Sequence, residues 1–159
     1  MGFYEDKKTD SDAPDLFESA VRAMEAGRFA EALLCLLAAE NENETPARRF
    51  NLALCYMKAG DYQSAVSHLE KALSLIKKTP PSRGGHARSE AYTTLRAMEV
   101  SAESYLAPMD ANFLRAFPAE AAEDITMALI YGYKKCGLFD KAKALAAGLS
   151  GPEFAALRN

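Results

Sequence analysis

Gly27-Arg28-Phe29-Ala30-Glu31-Ala32 has two counterparts further along the chain, Gly60-Asp61-Tyr62-Gln63-Ser64-Ala65 and Gly137-Leu138-Phe139-Asp140-Lys141-Ala142. Each block places a glycine, an aromatic residue two positions on, and an alanine five positions on. A glycine suits the left-handed backbone that ends a helix. The aromatic, Phe29 or Tyr62, is expected in the corner between two helices. The alanine is expected where the helices cross too closely for a larger side chain. The first two glycines are 33 residues apart and the second and third are 77 apart.

Outward from the blocks, apolar residues fall at helical spacing and nothing alternates as a strand does. Leu16, Ala20, Ala23 and Met24 precede Gly27, with Asp12 or Asp15 beside Pro14 as the start signal. Phe29, Ala32, Leu33, Leu36 and Leu37 follow it. Pro46 opens a helix containing Phe50, Leu52, Ala53, Tyr56 and Met57. Ala65, Val66, Leu69, Ala72, Leu73 and Ile76 follow Gly60. Residues 79–86, Thr-Pro-Pro-Ser-Arg-Gly-Gly-His, break the pattern. A long helix is expected over about 87–107 with an apolar stripe of Ala91, Leu95, Met98, Ala102 and Tyr105 or Leu106. A short one is expected over 112–117, and another from 119 to 136 after Pro118. The expectation is an all-α fold of about seven or eight helices in antiparallel pairs, over about 15–41, 46–78, 87–117 and 119–148. Residues 15–159 form one domain behind a mobile polar tail, 1–14.

The chain has 159 residues, 49% hydrophobic and 26% charged, with a net charge of −3. These values suit one folded domain. No dense basic run supplies a nucleic-acid face. No apolar run approaches the ~20 residues of a membrane span. The polar N-terminus lacks the apolar stretch of a secretory signal, so the expected location is cytoplasmic. Cys35, Cys55 and Cys136 have no metal-ligand spacing and read as reduced, small hydrophobic residues. No cofactor or metal is expected.

Residues 46–78 resemble a tetratricopeptide repeat. Leu52, Ala53 and Tyr56 stand where that pattern has Leu, Gly and Tyr, and the 33-residue spacing is one short of its period. Gly60, Asp61 and Tyr62 match its turn, and Ala65, Leu69 and Ala72 its second helix. Arg49 and Lys77 depart from its Trp and its closing Pro. Residues 13–41 and 123–149 match more loosely, the latter through Leu129, Ile130, Tyr133, Ala142 and Ala146. The stretch of 77 residues is read as holding one degenerate hairpin between the second and last repeats.

The resemblance implies a superhelix, right-handed, that binds a protein or peptide and has no catalytic role. The first helix of each pair would line a concave groove. The groove positions are then Phe17, Val21 and Met24; Phe50, Asn51, Leu54, Met57 and Lys58; and Met127, Tyr131 and Lys134. Such an apolar, Met-rich lining fits an amphipathic helix. Phe17 and Val21 replace the polar residues of the family's carboxylate clamp, which disfavours that variant. Two narrower readings are a secretion-type chaperone and a homodimer whose groove its own neighbour fills. Arg83, His86, Arg88 and Arg96 form a basic group suited to an anion or an acidic segment. Of the two histidines, His68 reads as a satisfied helix residue, and no nucleophile–base pair emerges.

Overall fold

The computed structural model describes residues 15–39, 44–77 and 88–159. The expected tail, Arg83 and His86 lie outside these residues. Among the described residues there are eight α-helices, two 3-10 segments and no strand. They are α1 (Leu16–Glu25), α2 (Phe29–Ala38), α3 (Pro46–Lys58), α4 (Tyr62–Lys77), α5 (Glu90–Ser101), α6 (Ala111–Ala116), α7 (Pro118–Lys135) and α8 (Phe139–Ala147). The 3-10 segments are Ser104–Leu106 and Pro152–Leu157.

Local chemistry sets the helix ends. Asp15, Thr45, Ser89 and Asp110 each accept a hydrogen bond from the backbone N–H three residues on, capping α1, α3, α5 and α6. Gly27, Gly60 and Gly137 have φ of 77°, 80° and 74°. Each glycine N–H bonds three residues back, and the next residue's N–H bonds five back, as in Arg28 to Ala23, Asp61 to Tyr56 and Leu138 to Tyr133. The repeated block is thus a repeated C-terminal stop. Ala32, Ala65 and Ala142 are buried where the paired helices meet.

α1 packs on α2, α3 on α4 and α7 on α8. Between pairs, α2 packs on α3 and α4 packs directly on α7. This corrects the expected order. Residues 88–117 are not a hairpin stacked between the second and last pairs; they are an insertion that leaves the stack and returns. Three contacts establish the correction. Gly132 lets α7 approach α4 so closely that a Cβ there would lie 2.9 Å from Val66 Cγ2. The Tyr133 hydroxyl donates to Glu70 Oε1 at 2.7 Å. Lys135 Nζ sits 5.8 Å from the Tyr62 ring centre, just as Lys58 Nζ sits 5.3 Å from that of Phe29. Lys58 follows Phe29 by 29 positions and Lys135 follows Tyr62 by 73, a surplus of 44 held mostly between α4 and α7. The third equivalent, Phe139, is 65% exposed.

The expected helix over 87–107 is shorter, Glu90–Ser101. Glu103 adopts a left-handed conformation, φ 56°, and turns the chain into the 3-10 segment. From there the insertion crosses from one end of the stack to the other. α5 packs on Pro152–Leu157, Ser104–Leu106 packs on α7, and α6 packs on α7. One hydrophobic core joins all of these elements and includes Val100, Tyr105 and Met109.

Candidate functional site

The first helices of the three stacked pairs are α1, α3 and α7, and the eleven expected groove residues lie on them. Val21, Met24, Phe50, Asn51, Leu54 and Met127 are buried. Phe17, Met57 and Tyr131 are half-buried, and Lys58 and Lys134 are exposed. The expectation of an open apolar trough is therefore corrected for six of them, which lie within the core.

Asn51 supplies the physical reason. It sits in the middle of α3 and is 0% exposed. Its Nδ2 donates to the Met109 carbonyl at 2.8 Å, and the Met109 N–H donates to its Oδ1 at 2.8 Å. One carboxamide thus satisfies both backbone groups of a residue in a non-helical linker. Met109 itself is buried, a contribution of about 1.5–3 kcal/mol for a side chain of this size. Tyr105 is also buried, and burial pushes its hydroxyl up to about 12. The chain's own linker occupies this face.

The insertion does not close it entirely. A cleft of about 240 Å³ lies among the described residues where α6 meets the first pair, lined by Asp15, Phe17, Ala39, Thr45, Ala47, Arg48, Ala111 and Leu114. Arg48 is buried and fixed, its Nε donating to the Leu36 carbonyl at 3.0 Å near the end of α2. The wall is mostly apolar, with an immobilised guanidinium at its edge. Of the expected groove residues, Phe17 lies on this cleft. Met109, Ala111 and Leu114 were not among the expected site residues. Their linker and six-residue helix give no long apolar periodicity to read, and only Pro108 beside Met109 marks the place.

The basic group divides. Arg88 and Arg96 contact carboxylates of their own chain. Arg88 approaches Glu123 at 2.6 Å, Glu153 at 3.3 Å and Glu120 at 3.5 Å. Arg96 is 6% exposed and approaches Asp124 at 2.7 Å, Glu99 at 3.3 Å and Glu123 at 3.4 Å. The close Arg96–Asp124 pair is not aligned as a hydrogen bond, since Asp124 Oδ1 and Arg96 Nε have no hydrogen-bond partner. Burial pushes the Asp124 carboxyl up to about 6 against the pull of Arg96. These two arginines hold α5 to α7 and to the C-terminal segment and do not form an open anion site.

His68 stacks on Tyr56 with ring centres 5.2 Å apart. Arg49 Nη1 lies 3.0 Å from its Nδ1. A guanidinium only donates, so Nδ1 accepts and the ring proton belongs on Nε2. Burial, then the charges of Arg49 and Arg48, hold its pKa below the usual 6.5. Burial likewise raises the Cys55 thiol to about 11. Among the described residues, no three His, Cys, Asp or Glu side chains are grouped to hold a metal ion, and no helix is long and apolar enough to cross a membrane.

The family model for the tetratricopeptide repeat matches residues 46–78, the α3–α4 pair whose first helix carries Asn51. Residues 46–78 form a tetratricopeptide repeat. Comparison with curated proteins and with solved structures gives no match. Tetratricopeptide repeats generally mediate binding between proteins and are generally non-catalytic. Within the matched repeat, α3 is the helix that faces the insertion and α4 the helix that carries the next pair. The repeat therefore both supports the stack and holds Met109.

Proposed function

We propose that this protein is a non-catalytic scaffold that binds a protein or peptide on the α1–α3 side of its stack. The bound segment would insert an apolar side chain into the cleft between Phe17, Ala47 and Leu114. The observation that carries this reading is the cleft itself, about 240 Å³ among the described residues, between α6 and the first pair. Its size suits one or two side chains rather than a whole helix. Arg48, charged and held in place, would pair with a carboxylate or a backbone carbonyl beside the inserted residue.

Affinity capture from cells of the natural source tests it, comparing the intact chain with Ala111→Trp. Ala111 is exposed on the cleft rim, so the indole fills the cleft without entering the core. The expected result is a partner retained by the natural sequence and lost from the variant. Equal retention of that partner would remove the cleft from the proposal. Absence of any partner, with photo-reactive side chains at Phe17 and Leu114 also capturing none, would remove the scaffold.

A further inference from the structure

α5 is turned inside out with respect to its sequence pattern. Ala91, Leu95, Met98 and Ala102 recur at helical spacing on one face, and all four are exposed. Leu95 is 59% and Met98 63% exposed. The opposite face buries Arg96 and Val100. The ion pairs of Arg88 and Arg96 with α7 and the C-terminal segment choose this orientation. The result is a solvent-facing apolar stripe about 17 Å long, at 1.5 Å per helical residue, on a helix anchored by its polar side.

The charges around the stripe select its occupant. Among the described residues, the charged side chains that α5 exposes are Glu90 and Glu99, the latter 3.3 Å from Arg96, and Glu103 follows directly. Its one cation, Arg96, is buried and paired, and Arg88 in front of it is taken by Glu120, Glu123 and Glu153. A second copy of this chain would bring acidic residues against acidic residues. We infer that the α5 stripe docks an amphipathic helix of another protein, with Leu- or Ala-type residues on its contact face and Lys or Arg along its flanks. Apolar contact supplies the attachment, and opposite charge selects the partner and its orientation. This surface is separate from the cleft beside α6, and each stands without the other.

The test uses the full chain and a labelled helical peptide of about 18 residues, five turns long, with a Leu/Ala stripe flanked by Lys. A counterpart carries Glu in place of each Lys. Fluorescence anisotropy should show the Lys peptide binding, more weakly as salt rises, and the Glu peptide at least about tenfold weaker. The double variant Leu95→Gln/Met98→Gln should lose about tenfold or more in affinity for the Lys peptide while keeping the natural circular dichroism spectrum, because both side chains are exposed. No binding of the Lys peptide, equal binding of the Glu peptide, or an unaffected double variant would each overturn the inference. So would self-association by light scattering that the double variant abolishes, which would give the stripe to a second copy.

Discussion

The Asn51 side chain and the Met109 backbone exchange two hydrogen bonds of 2.8 Å across 58 positions of sequence. Both residues are buried, so neither bond has water as an alternative. Asn51→Ala leaves a buried N–H and a buried C=O without partners. An unsatisfied buried group costs about 1–3 kcal/mol, and the variant should lose about 2–4 kcal/mol of unfolding free energy. Urea denaturation measures it, and a loss below 1 kcal/mol would mean that the linker is not held there.

Gly132→Ala tests whether α7 rests directly on α4. The added methyl would meet Val66 Cγ2 at 2.9 Å, and a β-branched side chain has little freedom to turn away. Overpacking of this kind costs about 1–3 kcal/mol, partly offset by alanine's better helix propensity. Combining it with Val66→Ala should recover stability relative to the sum of the single changes. Additive losses would deny the contact.

Arg96→Met tests the ion cluster under α5. Removing the guanidinium leaves the Asp124 carboxyl buried with less to oppose its desolvation, so its pKa rises further above about 6. A carboxyl with a folded-state pKa above its unfolded value of 3.8 binds more protons when folded, so its protonation adds stability as pH falls through that window. The variant should therefore lose about 3 kcal/mol at pH 8, and visibly less at pH 5. A loss independent of pH would show that packing, not charge, sets the effect.

His68 gives the opposite sign. Its folded-state pKa lies below 6.5, through burial and then Arg49 and Arg48. The folded protein binds fewer protons than the unfolded chain in that interval, so His68 withdraws stability as pH falls through about 6.5. His68→Phe keeps the stacking on Tyr56 and removes the titration. The stability difference, natural minus variant, should fall between pH 7.5 and 5.5; a flat difference would be contrary to the assigned environment.

The parts of the fold written in local sequence were legible. Gly27, Gly60 and Gly137 announce their helix stops because no other residue takes a φ near 75° so easily. Ala32, Ala65 and Ala142 announce close crossings. The order of stacking was not legible, because the apolar faces of α4 and α7 would equally have covered an intervening pair. Its signals were Gly132 inside an otherwise regular helix and the shared placement of Lys58 and Lys135. The burial of Arg96 was also unreadable, since its carboxylate partners Glu123 and Asp124 lie on another helix. Apolar residues on α1, α3 and α7 stand out in the sequence, but Met109, which bonds to Asn51 on α3, comes from a linker without periodicity.

The central claim is that the insertion returns across the α1–α3–α7 face and is fastened at Asn51. Amide hydrogen exchange at Met109 tests it most directly. If the account holds, that N–H exchanges as slowly as the buried amides of α3, and Asn51→Ala restores fast exchange at Met109 while α3 stays protected. Fast exchange at Met109 in the natural protein, with α3 protected, would contradict it.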